Sequence, residues 1–193
     1  MHMTKVLIIG DSFAADWSVK YPVSGWSNFL ANEFTVTNLA QAGCSEYKIK
    51  KQLDSINPAH YTHAIVVHTS KSRIPVEKHP LHNSDALLYS CDFIYSDVLD
   101  NKHSELKCIK EFYQKFYHED FFHYIYDLIV CDIDNILSQY NVPTLHITFF
   151  DHALPVNYRN FNALFQNCKG NANHLNEHAN REVFTEVKSW IKS

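Results

Sequence analysis

This chain is predicted to be an α/β protein built on a central parallel sheet, and three observations carry that reading. Short continuous apolar runs, Val6-Leu7-Ile8-Ile9 and Ala64-Ile65-Val66-Val67, read as strands covered on both faces. Stretches with helical spacing alternate with such runs, which implies parallel strands joined by crossover helices lying on both sides of the sheet. The 193 residues are 46% hydrophobic and 20% charged, which supports one sizeable core and excludes disorder as the main state. Residues 1–193 are therefore read as a single domain.

The first strand is expected over 5–9, after Met1-His2, which read as added residues ahead of a native start at Met3. Trp26, Phe29 and Leu30 share one face of a helix over 26–34. The β-branched stretch 35–39 is the second strand. Ser45 opens a helix holding Tyr47, Ile49 and Leu53 that ends before Pro58. Residues 63–69 form a third strand whose apolar middle marks a central position, and 144–150, introduced by Pro143, form a fourth. The last helix spans 176–191, with Val183, Phe184, Val187 and Trp190 facing the sheet.

Between the third and fourth strands, residues 70–140 read as a lid-like or helical insertion. Residues 70–102 hold Pro75 and Pro80 and settle on neither period, as functional loops and lids often do. Residues 105–139 lack proline and glycine and are rich in aromatics. Spacings of four set Phe112 with Phe116 and Tyr113 with Tyr117, and Asp120 is expected to cap a second helix. These rings read first as core and lid packing. The other reading, a wall for sugar rings or acyl chains, needs some of them exposed near Ser12.

Chemistry concentrates at Gly10-Asp11-Ser12, where the first strand ends. Open α/β sheets gather ligands and reacting groups at strand carboxyl ends. A helix starting there would aim backbone N–H groups at developing negative charge. Ser12 is then a candidate nucleophile; the alternative is that Asp11 or Ser12 only caps the segment after the strand. Two further blocks stand apart in the chain: Gly43 in the turn Ala42-Gly43-Cys44-Ser45, and His174 in Asn171-Ala172-Asn173-His174.

In this order the three blocks resemble the SGNH (GDSL-type) hydrolases, a family of esterases and lipases. The resemblance implies a flavodoxin-like three-layer α/β/α fold, Ser12 as nucleophile, Gly43 as an oxyanion donor and His174 as base. Two positions depart from the family pattern. The third block, which usually supplies an asparagine to the oxyanion, here reads Val66-Val67-His68-Thr69-Ser70-Lys71, leaving Ser70 or its neighbour Thr69 as donor. Three residues before His174, where the family carries an aspartate, stands Asn171, so a Ser–His dyad or an acid borrowed from elsewhere is in play. Asp151, expected at the end of the fourth strand, is the stand-in. The implied reaction is hydrolysis of a carboxylic ester, with a small O-acyl group on carbohydrate as the preferred substrate class and no metal or organic cofactor. A binding or assembly module with attenuated activity, and an acyltransferase using the same serine, are the rival readings.

Other signals weigh against other classes. His174-Leu175-Asn176-Glu177-His178 spells the inverted zincin pattern, yet only Glu182 and Glu186 come after it on the same helix to complete a metal site. His63, His68, His79 and His82 read as polar surface or core residues. Five cysteines without paired spacing, and no three-part signal peptide, read as reduced thiols in a cytoplasmic setting. Cys44 is the alternative nucleophile. A formal net charge of −4 offers no basic footprint for nucleic acid, and no run is long enough to span a bilayer.

Overall fold

The computed structural model describes residues 4–82, 87–100 and 102–193. The expected native start at Met3 lies outside them. Five strands form one all-parallel sheet: β1 (Lys5–Gly10), β2 (Thr35–Asn38), β3 (His63–His68), β4 (Thr144–Thr148) and β5 (Tyr158–Asn160), in the order β2-β1-β3-β4-β5. Helices cover both faces, giving the flavodoxin-like three-layer architecture. The four strands expected from the chain become β1 to β4, with ends within about two residues of expectation. The three-residue β5 has too short an apolar signal to be read from the chain.

Alternation along the strands sorts the core into two layers. Val6, Ile8, Ile65, Val67 and Ile147 face α1 (Trp26–Ala31) and α7 (Glu177–Ile191), where Trp26, Leu30, Val183 and Val187 meet them. Leu7, Ile9, Ala64 and Val66 face the other way, toward Ile49 and Leu53 of α2 (Glu46–Asp54) and Ile133 and Leu137 of α5 (Glu119–Gln139).

The segment after β3 is helical, as expected, and holds α3 (Tyr95–Asp100), α4 (Lys107–Lys115) and α5. Its last member is the crossover helix that returns the chain to β4, so part of it belongs to the core of the fold. His118, not Asp120, caps α5: its Nδ1 accepts the Phe121 N–H at 3.2 Å, and Asp120 lies within the first turn. The aromatics of α4 and α5 pack mainly on one another. Tyr113 meets Tyr117 at 5.1 Å between ring centroids, and Tyr117 stacks on Phe122 at 4.7 Å. Phe116, Phe121 and Tyr124 are exposed.

After β5 come α6 (Asn162–Asn167) and β6 (Lys169–Ala172), which stays outside the sheet and folds back through the isolated bridge Ala172–Leu175.

Candidate active site

The strand order reverses between β1 and β3, so the crevice beyond their carboxyl ends is the topological switch point of this sheet. Gly10 closes β1 against its neighbour: a Cβ there would meet Val67 Cβ at 2.7 Å. Gln52 of α2 holds Gly10 at both ends, accepting its N–H at 2.8 Å and donating to its carbonyl at 3.0 Å.

Residues 11–15 then form a turn and not the expected helix start. Asp11 Oδ1 accepts the Phe13 N–H at 3.0 Å, and its carbonyl accepts from Ala14 and Ala15. Asp11 takes up three backbone N–H groups of the turn, and no α-helix begins before Trp26; only a short 3-10 turn over Trp17–Val19 precedes it.

Ser12 is 4% exposed, and its hydroxyl makes no hydrogen bond to another described residue. Its carbonyl is held by the Trp17 indole at 2.8 Å. Its N–H, like that of Gly43, has no protein acceptor among the described residues. Gly43 is buried in a left-handed conformation (φ 77°), and a Cβ there would meet Cys91 Sγ at 2.5 Å. Only glycine fits that position.

His174 sits with Asn173 at the tip of the hairpin that β6 begins. Both have positive φ, Asn173 at 53° and His174 at 62°, the pattern of a type I′ turn, in which Asn and His tolerate the left-handed region. Asn173 ties this tip to the Ser12 turn, donating to the carbonyls of Phe13 at 2.7 Å and Ala15 at 3.1 Å. The His174 ring packs against Phe13 at 4.9 Å and Trp17 at 5.3 Å, the two aromatic residues that flank and hold Ser12. Burial, aided by the nearby Arg73 charge, pushes its pKa down to about 4, so the imidazole is neutral near pH 7. No hydrogen bond joins it to the Ser12 hydroxyl or to any carboxylate among the described residues.

The remaining expected site residues are dispersed. Asn171 and Asp151 are exposed, and neither side chain bonds to His174. Ser70 shares its hydroxyl with Ser72 at 3.0 Å, whereas the Thr69 hydroxyl is buried beside the Asp11 carboxyl. His178 is exposed and paired with Glu182 at 2.9 Å, while His174 precedes α7, so the two do not share the helix that a zincin site requires. Cys44 is fully buried against the Gly10 carbonyl at 3.3 Å, and burial pushes its thiol far above the ordinary range, which removes it as a nucleophile. The larger cavities open elsewhere, one of about 550 Å³ beside Asn38, Gln41 and Gln52 and another of about 890 Å³ beside Asp134 and His146.

Four residues give no sign of their role in the sequence. Arg73 crosses the switch-point crevice, donating to the Cys44 carbonyl at 2.9 Å with its other nitrogen 3.4 Å from Asp11 Oδ2. Burial nevertheless carries the Asp11 carboxyl up to about 6. Glu46, His68 and His146, all buried, form a chain with the half-exposed Asp134: Glu46 to His68 Nδ1 at 2.8 Å, His68 Nε2 to His146 Nδ1 at 2.8 Å, and His146 Nε2 to Asp134 at 3.0 Å. The parallel register Val66–His146 explains how His68 reaches its partner, because 66, 68 and 146 all lie on the α2/α5 side. Nothing in the local sequence signals that a histidine from β3 meets one from β4.

No protein-family model matches the chain, and no curated protein or solved structure matches it either.

Proposed function

We propose that this protein is a serine hydrolase of the SGNH type acting on carboxylic esters. The observation that carries the reading is the tether between the two ends of the chain. Asn173 fastens the His174 turn to the carbonyls on either side of Ala14, and Trp17 both holds Ser12 and walls the imidazole. Ser12 Oγ attacks the acyl carbon and the neutral His174 takes its proton, later returning it to the leaving alcohol. The free N–H groups of Ser12 and Gly43 supply two donors for the oxyanion, and the hydroxyl of Thr69 or Ser70 adds a third. Water activated by the same imidazole releases the acid. Catalytic hydrogen bonds commonly tighten only as substrate binds, and the mechanism requires the Ser12–His174 bond to form at that step. Small O-acyl esters, on carbohydrate among others, are the proposed substrates.

One observation favours a second reading. With no carboxylate of a described residue bonded to His174, imidazolium stabilisation is weak, as in a binding module with attenuated activity. A short-chain aryl ester assay separates the two. Turnover by the wild type that Ser12→Ala abolishes, with an unchanged melting temperature, supports the hydrolase. His174→Ala should be as severe, and the double variant little worse, because the pair acts as a unit. Turnover retained in Ser12→Ala overturns the mechanism.

A further inference from the structure

Away from the switch point, the segment after β3 brings together three metal-ligating side chains that the proposed reaction does not use. His79, His82 and Cys91 each present one ligand atom within 4.8 Å of the other two. The two imidazoles stack at 4.6 Å between centroids. His79 is 5% exposed and Cys91 4%, so two of the three ligands are already out of water. Beside them opens a cavity of about 280 Å³, with the Asp92 and Asp100 side chains among its walls.

We propose that His79, His82 and Cys91 form a three-ligand site for a zinc-class divalent cation. Two imidazoles and a thiolate are a borderline-soft donor set of the kind zinc and cobalt(II) take, and not one suited to magnesium or calcium. Zinc bonds of about 2.0–2.3 Å place tetrahedral ligand atoms roughly 3.3–3.8 Å apart, so the three close in by about 1.5 Å at most. The cavity leaves a fourth position for water or for the Asp100 carboxylate. On binding, Cys91 releases its proton to solvent. Leu81 N–H donates to His79 Nδ1 at 3.1 Å. A cation on Nδ1 displaces that bond, and one on Nε2 moves the ring proton to Nδ1 and breaks it too, so occupancy reshapes the Leu81 turn.

The site also bears on the Gly43 turn. Cys91 Sγ lies against Gly43, the Asp92 N–H donates to the Gly43 carbonyl at 3.0 Å, and Asp92 Oδ2 accepts the Ser45 N–H at 2.7 Å. A bound cation thus anchors the segment that clamps the turn, whether or not the turn serves an ester.

Cobalt(II) titration of the chelator-stripped full chain tests this directly. The wild type should bind one equivalent with a thiolate-to-cobalt charge-transfer band, and zinc should bleach that band by displacement. Cys91→Ser should lose the band. His82→Ala, at a half-buried ligand, should keep the fold and weaken binding by about tenfold or more. A wild type without the band, or a band that survives unchanged in both variants, overturns the proposal. If Cys91→Ser does not fold, His82→Ala decides alone.

Discussion

Asp11 and His174 face the same guanidinium, and their protonation moves in opposite senses. Burial lifts the Asp11 carboxyl from 3.8 to about 6 although Arg73 opposes it, while burial and Arg73 together lower His174 from 6.5 to about 4. A base works only when neutral, so kcat/KM for ester cleavage should hold as pH falls below the ordinary histidine range and drop through about 4. If the ionised Asp11–Arg73 pair is needed to keep the crevice closed, an additional limb appears near 6, and Asp11→Asn should erase that limb alone. A single limb near 6.5 that persists in Asp11→Asn would overturn the lowered His174 pKa. The Gly-Asp-Ser block and the Gly43 turn stood out by their local turn residues, and His174 was picked out by the family resemblance that the three blocks carry together. Arg73, Glu46 and the His68–His146 contact were not, because their significance arises only when β1, β3 and β4 are laid side by side. Asn171 and Asp151 show the converse failure, since a position inferred from spacing or from a strand end says nothing about where the side chain points.

At the scale of elements, the hairpin from β6 to α7 is the piece whose placement matters most. Asn173 supplies both its left-handed turn and its tether, and glycine separates the two roles because it keeps the backbone conformation and loses the amide. Asn173→Gly should therefore lower kcat by about an order of magnitude or more and cost roughly 1–3 kcal/mol of stability, from two lost hydrogen bonds to carbonyls in the Ser12 turn. Asn171→Gly, on the exposed stretch two residues earlier, should leave the rate unchanged. Equal rates for Asn173→Gly and wild type in the same aryl ester assay would mean that the hairpin does not position the base. The four main strands and the two long flanking helices were readable because continuous apolar runs and helical periodicity are strong local signals. β5, β6 and the hairpin were not. They are short, polar at most positions, and fixed by contacts with β4, α7 and the Ser12 turn.

Across the described residues, His63, His146, His152 and His174 share one direction of titration, and the last three move furthest. Burial lowers His146, His152 and His174 from 6.5 to about 4, the first also through the His68 charge and the second through Lys71. Between those values the unfolded chain takes up protons that the native state refuses, so their contribution, intact above pH 6.5, is lost as pH falls to about 4. Asp11 acts in reverse: the native state keeps its proton from about 6 down to 3.8, which adds stability as the solution is acidified through that window. Three groups outweigh one. The urea midpoint should be clearly lower at pH 4.5 than at pH 7.5, and a midpoint that holds or rises on acidification would refute the balance.

The link from Asn173 to Phe13 joins residues 160 positions apart, and it lies on the same side of the sheet as α7. During synthesis, Ser12 is therefore made long before the hairpin that carries the proposed base. Val6, Ile8, Ile65 and Val67 also wait for α7 to cover them, so a growing chain carries an open apolar surface until residues 177–191 are made. On the proposed mechanism, the base and the cover for that surface arrive together, in the stretch from His174 through α7. A nascent chain that stops short of α7 should then show no esterase activity during the period when it is most prone to stick to its neighbours.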